Sequence, residues 1–160
     1  MNSSDLHRSL PSLFSELVFG APDAGAFVLN PGDAGLLASL RRISAEQASA
    51  TSGQSTVAAH VRHLEYGLSL MNRWAAGENP FEDANWAASW KQPHVTAEEW
   101  DELRASLAET CRTWHGHLSG DRTVAGPELD GVIGSIIHLA YHLGAIRQMN
   151  ASLRGPAAND

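Results

Sequence analysis

Two histidines spaced four residues apart, His138 and His142, carry the strongest chemical signal in the sequence. On a helix, residues at this spacing lie on one face about one turn apart, so both imidazoles can reach a single ion. Zinc accepts imidazole nitrogen at about 2.0–2.1 Å. The pair is not the His-Glu-x-x-His motif of zinc peptidases, because Leu139 stands in place of the glutamate. The spacing therefore predicts a metal ligand pair without a general base inside the motif.

A stable site needs a third ligand from another segment, and the sequence His60-Val-Arg-His63 offers two candidates. Both histidines lie beside the apolar seam of a predicted helix over residues 54–76. Helical periodicity places His60 slightly nearer the core than His63 and so mildly favours His60. The competing interpretation is that all these histidines are core residues satisfied by hydrogen bonds, since a pair at this spacing arises by chance in a chain with eight histidines.

The elements that must position these rings are predicted to be helices, because apolar residues recur at three- and four-residue intervals. The strand-like alternation of apolar and polar residues nowhere extends beyond a few residues. The fold class predicted is all-α, an antiparallel four-helix bundle with an extra N-terminal helical segment. We expect a single domain over residues 1–160, with an N-terminal extension (1–32), a bundle core (33–153) and a frayed tail (154–160). The predicted helices cover residues 3–19, a segment around 36–43, residues 54–76, a segment that starts at Thr96, and residues 129–153.

A long connection over residues 78–95 contains the aromatic residues Phe81, Trp86 and Trp90. A connection of this length in a small domain usually has a function or packs through its own side chains. One interpretation is a lid over the metal. The other, which we prefer, is a loop anchored on the bundle surface by its aromatics.

Composition narrows the partners and the compartment. The formal net charge is −7, and the 11 lysines and arginines are scattered. Nucleic acids and anionic membranes need a basic surface, so we expect neither as a partner. No apolar run approaches the ~20 residues that span a bilayer. The single cysteine, Cys111, is expected in the core rather than as a nucleophile, and it fits a reducing, cytoplasmic location.

Two stretches, STVAAHVRHL (residues 55–64) and SIIHLAYHLG (residues 135–144), resemble the DinB-like superfamily. That superfamily includes YfiT-type metal-dependent hydrolases and the bacillithiol and mycothiol S-transferases, and the resemblance covers roughly residues 33–153. It implies a four-helix bundle in which three histidines hold a metal, one from the second bundle helix and two from the last. With Val57 as the apolar residue that opens the second helix, the pattern selects His63, together with His138 and His142, against the preference of periodicity.

Three neutral histidines with an open fourth position are typical of a catalytic rather than a structural metal site. We expect a divalent ion, zinc or nickel, although imidazole also suits copper and iron. The resemblance implies a small-molecule substrate, such as a low-molecular-weight thiol transferred to an electrophile, or a hydrolysis, and it implies that homodimers are common. The alternative is a non-catalytic metal-binding module of a stress response. Tyr141 is expected to pack, and Arg147 and Gln148 to lie on an exposed face.

Overall fold

The computed structural model describes residues 3–120 and 126–157, and the regular structure in these ranges is helical apart from one isolated bridge between Ser52 and Ser55. The prediction of an all-α protein is confirmed. The helices are α1 (Ser3–Phe19), α2 (Gly35–Leu40), α3 (Ala45–Ser49), α4 (Val57–Ala75), α5 (Ala97–Leu118) and α6 (Pro127–Met149), with short 3₁₀ helices at Ala88–Trp90 and Ala151–Leu153.

The helix starts follow from local capping chemistry. Thr96 accepts a hydrogen bond from the Glu99 N–H while the Glu99 carboxylate accepts one from Thr96 N, so α5 starts where the sequence predicts. Thr56 caps α4 by accepting from the Ala59 N–H. Helix α4 therefore begins three residues later than the predicted start at residue 54, because the cap residue is itself extended.

The predicted bounds of the last helix are wrong at both ends. Pro127 occupies the first turn of α6, where its missing N–H needs no partner, so the helix starts before residue 129. The helix ends at Met149 because Asn150 adopts extended backbone angles (φ −136°, ψ 109°), and a 3₁₀ turn follows through Leu153. Both histidines of the motif nevertheless lie well inside α6.

Helix α1, which lies in the predicted N-terminal extension, contributes to the core. Helix α1 spans the predicted residues, and its Phe14, Leu17 and Val18 are almost fully buried. It packs against α2, α5 and α6, while α4 packs against α5 and α6. The predicted helix around residues 36–43 is the shorter α2, and the separate short helix α3 follows where the sequence Ser44-Ala-Glu-Gln47 predicts a further turn.

Helix α6 is the most apolar of the long helices. Among the described residues it alone is long and apolar enough, by those two criteria, to cross a membrane, a test that the core helix of a globular protein also passes. Its seam packs within the core through Val132, Ile136, Leu139, Leu143 and Ile146.

The core also holds Cys111, as predicted, and burial raises the pKa of its thiol to about 12. In the tail that was expected to fray, the Asn30 side-chain amide donates a hydrogen bond to the carbonyl of Pro156. The end of that tail, residues 158–160, and most of the predicted loop before α6, residues 121–125, lie outside the described residues.

Candidate metal centre

Ring nitrogens from two helices converge at one point of the core. The His63 Nε2 of α4 lies 3.1 Å from the His138 Nε2 of α6, and the His138 Nε2 lies 2.9 Å from the His142 Nε2. One ligand atom from each of these three residues falls within 4.8 Å of the others. Tetrahedral zinc holds two imidazole nitrogens about 3.3 Å apart, given bonds of about 2.0–2.1 Å. The three histidines thus lie close enough together to hold a metal ion.

A serine of the 78–95 connection fixes the tautomer of His63. The Ser89 hydroxyl donates its hydrogen to the carbonyl of Trp86 at 2.7 Å, and it also lies 2.7 Å from the His63 Nδ1. Because a hydroxyl has one hydrogen, the serine oxygen must accept from His63, which places the ring proton on Nδ1. The His63 Nε2 is then a free acceptor that faces the other two rings. Outer-shell hydrogen bonds of this kind orient the histidine ligands of metal sites.

His60 lies on the outer side of the centre, against His142. The two Nδ1 atoms are 2.8 Å apart, so one must carry a hydrogen and the other accept it. When the His142 Nδ1 donates, its Nε2 is an acceptor directed at the point shared with His63 and His138. His60 is therefore placed to orient a ligand, and its Nδ1 does not face the shared point.

Burial keeps these rings neutral. Burial lowers the pKa of His60 and His138. The pKa of His63 is lowered to about 4, first by burial and then by the positive charges that His138 and His60 would carry. For His142, burial and then its three histidine neighbours lower the pKa to about 3. At neutral pH the centre therefore presents nitrogen lone pairs rather than cationic rings.

The donor set fits a cation better than it fits hydrogen bonding. When the His142 Nε2 is an acceptor like the His63 Nε2, a proton on the His138 Nε2 can satisfy one of them and leaves the other without a donor. A cation at the shared point would satisfy all three lone pairs. Unpaired acceptors away from water are costly, so this arrangement favours a bound cation over an empty cluster.

The aromatic connection lies directly on the histidines. The Trp90 ring stacks on His63 with centroids 4.3 Å apart, and the Trp86 ring lies 5.6 Å from His63 and 6.3 Å from His138. The connection is also tied to α4, because the Thr56 hydroxyl donates to the carbonyl of Pro93. Its aromatics therefore anchor the connection and cover one side of the centre at once.

Other candidate residues lie elsewhere. Tyr141 is 69% exposed, so the expectation that it packs is wrong, although its ring lies beside His142. Arg147 does not lie on an exposed face, since its guanidinium is mostly buried and pairs with Asp33 at 2.7 Å. Ser89 was missed by the sequence analysis, because a single serine between two tryptophans has no recognisable motif.

Comparison of the chain with protein-family models, with curated proteins and with solved structures gave no match. The resemblance to the DinB-like superfamily therefore stays a prediction. The class of site defined by the geometry alone is a cluster of two buried histidines and one half-buried histidine that could hold a metal ion.

Proposed function

We propose that this chain is a DinB-like protein that binds one divalent metal ion, zinc or nickel, through His63, His138 and His142. The observation that carries the proposal is the convergence of three neutral ring nitrogens from two separate helices, two of them on buried residues and the third, that of His138, on a half-buried one. A core that only needed apolar packing would not direct three lone pairs at one point.

The proposed architecture is an antiparallel four-helix bundle of α1, α4, α5 and α6. It is supported by the contacts of α1 and α4 with both α5 and α6. In this arrangement α1 is one of the four bundle helices rather than an addition to them. The ligands come from α4 and α6, which matches the division of ligands that the resemblance implies.

The proposed activity is metal-dependent chemistry on a small molecule, either transfer of a thiol to an electrophile or a hydrolysis. A divalent ion supplies Lewis acidity that lowers the pKa of a bound water or thiol. The protein contributes three neutral ligands, which leave further coordination positions to a small molecule. His60 and Ser89 hold the outer ring nitrogens of His142 and His63, and Trp86 and Trp90 cover one side of the rings.

The metal is tested first, by elemental analysis of purified protein and by titration of zinc or nickel into chelator-treated protein. We expect about one ion per chain, by the three-ligand arrangement, and loss of this ion in His63→Ala. His115→Ala is the matched control, because His115 lies against Phe14 and Phe19 rather than in the cluster. Equal metal content in both variants would contradict the proposed site.

The activity is tested next, with metal-loaded protein, a small thiol and an electrophilic model substrate, and separately with an ester. We expect turnover that is lost on chelation and restored by metal. Full turnover in His142→Ala would contradict a metal-dependent enzyme. One bound ion per chain without turnover on either substrate would favour the non-catalytic metal-binding module.

A further inference from the structure

A groove of about 410 Å³ lies beside the histidine cluster, between α4, α6 and the 78–95 connection. His138 belongs to both places, since its ring lines the groove while its Nε2 faces the other two histidines. A molecule in the groove would thus lie against a proposed metal ligand. The volume is within the range of about 300–1,000 Å³ that small-molecule sites occupy.

Glycines shape this groove on both helices. At Gly67 a β-carbon would lie 3.2 Å from the Trp86 ring and 3.6 Å from the His138 ring, so the glycine lets both rings approach α4. Gly131 and Gly134 line the opposite wall, on α6, and a β-carbon at either would meet nothing within 4 Å. The α6 wall of the groove is therefore free of side chains at two positions one turn apart.

The walls of the groove are apolar. Leu68, Met71 and the rings of Phe81 and Trp86 line it, and none of the described lining residues carries a charge. Phe81 is 44% exposed and Trp86 is 40% exposed, so both rings keep uncovered aromatic surface. The Ser135 hydroxyl is already committed, because it accepts from the Trp114 indole and donates to the carbonyl of Val132.

We propose that this groove binds the uncharged aromatic portion of a small-molecule substrate and holds the reacting end of that molecule at His138. Flat aromatic surfaces gain from stacking on Phe81 and Trp86, and the flexible thioether of Met71 adapts to different rings. An anionic ring would lose its hydration against walls that offer it no partner. The placement of the reacting end at His138 rests on the proposed function, whereas binding of the aromatic ring does not require the metal.

The test measures binding to chelator-treated protein by calorimetry, with 2-naphthol as a neutral probe and 2-naphthalenesulfonate as an anion with the same rings. We expect the neutral probe to bind at least about tenfold more tightly, since the sulfonate must be desolvated. Gly134→Leu places a side chain in the groove and should weaken 2-naphthol binding at least about tenfold. Gly144→Leu is the matched control, on the same helix, equally open around its β-carbon and outside the groove.

Equal affinities for the two probes, or equal effects of the two glycine variants, would overturn the proposal. Trp86→Ala provides a second variant if Gly134→Leu does not fold, and it should weaken the neutral probe as well. Failure of metal binding would leave the naphthol result standing, so the two proposals fail separately. With metal-loaded protein and an aromatic electrophile, Gly134→Leu should raise KM while the metal content stays that of the unmodified chain.

Discussion

Two regions of the interior bury polar groups, and they do so in opposite ways. At the junction of α1 with the following loop, the Glu16 carboxylate is 3% exposed and accepts hydrogen bonds from the backbone N–H groups of residues 27–29. Nearby, Asp33 pairs with Arg147 at 2.7 Å and accepts from the Gly35 N–H. In the histidine cluster, by contrast, three ring nitrogens face one another.

The difference separates a structural polar network from a candidate binding site. Burial raises the pKa of Glu16, but the three backbone hydrogen bonds more than offset it, and the net pKa is lowered. The acceptors of the junction are thus matched by donors within the chain. The facing Nε2 atoms of the cluster cannot all be matched by donors on one another, and the proposed cation would relieve this mismatch.

The largest effect is expected from removal of a direct ligand. His142→Ala should weaken metal binding by more than about 100-fold, because even outer-shell partners contribute about 10–100-fold. The free energy of unfolding of metal-free protein should change far less than metal affinity does. Metal titration followed by denaturant unfolding of the chelated protein measures both. Retained affinity would mean that the cluster is structural, like the junction.

At the junction we expect the reverse, namely a large loss of stability and an unchanged metal affinity. Arg147→Met leaves the Asp33 carboxylate buried at 3% exposure without its cation, which should lower the free energy of unfolding by about 3 kcal/mol. Metal affinity of the folded variant should be unchanged. Urea unfolding and metal titration of this variant, set beside His142→Ala, test whether the two regions are independent.

A smaller effect is expected from His60, which touches the outer nitrogen of His142. His60→Leu removes the hydrogen-bond partner and should weaken metal binding about 10–100-fold without abolishing it. His60→Gln offers an amide oxygen that can accept from the His142 Nδ1–H, and it should recover part of the affinity. Identical affinities in the two variants would show that His60 only fills space.

The last prediction concerns the pH dependence of the stability of metal-free protein. The folded-state pKa values of His63 and His142 are lowered from 6.5 to about 4 and about 3, so between these values and 6.5 the unfolded chain binds more protons. The free energy of unfolding should therefore fall as the pH is lowered through this window, and this loss should be smaller in His142→Ala. Unfolding curves recorded across the window, with chelator present, measure the slope.

Local chemistry made much of the fold predictable. The Thr96 and Glu99 pair marked the start of α5, and the apolar repeat of residues 3–19 gave the bounds of α1. The end of α6 was not predictable, because Asn150 leaves the helix before the apolar pattern stops. The role of α1 depends on its contacts with α5 and α6, which periodicity within one segment cannot show.

The same limit applies to the cluster. The spacing of His138 and His142 was sufficient to place two rings together, but the choice between His60 and His63 was not decided by helix periodicity. Periodicity measures how close each residue lies to the seam, whereas the direction of a ring depends on its rotamer and its outer partner. Ser89 sets that direction for His63, and it comes from a connection that has no periodic pattern.

The stacking of Trp90 on His63 has a spectroscopic consequence. A paramagnetic ion held by this imidazole would lie within a few ångströms of an indole and would quench its emission. Nickel or copper uptake can then be followed by the decrease in intrinsic tryptophan fluorescence, and a stopped-flow trace would give the rate of uptake without any label.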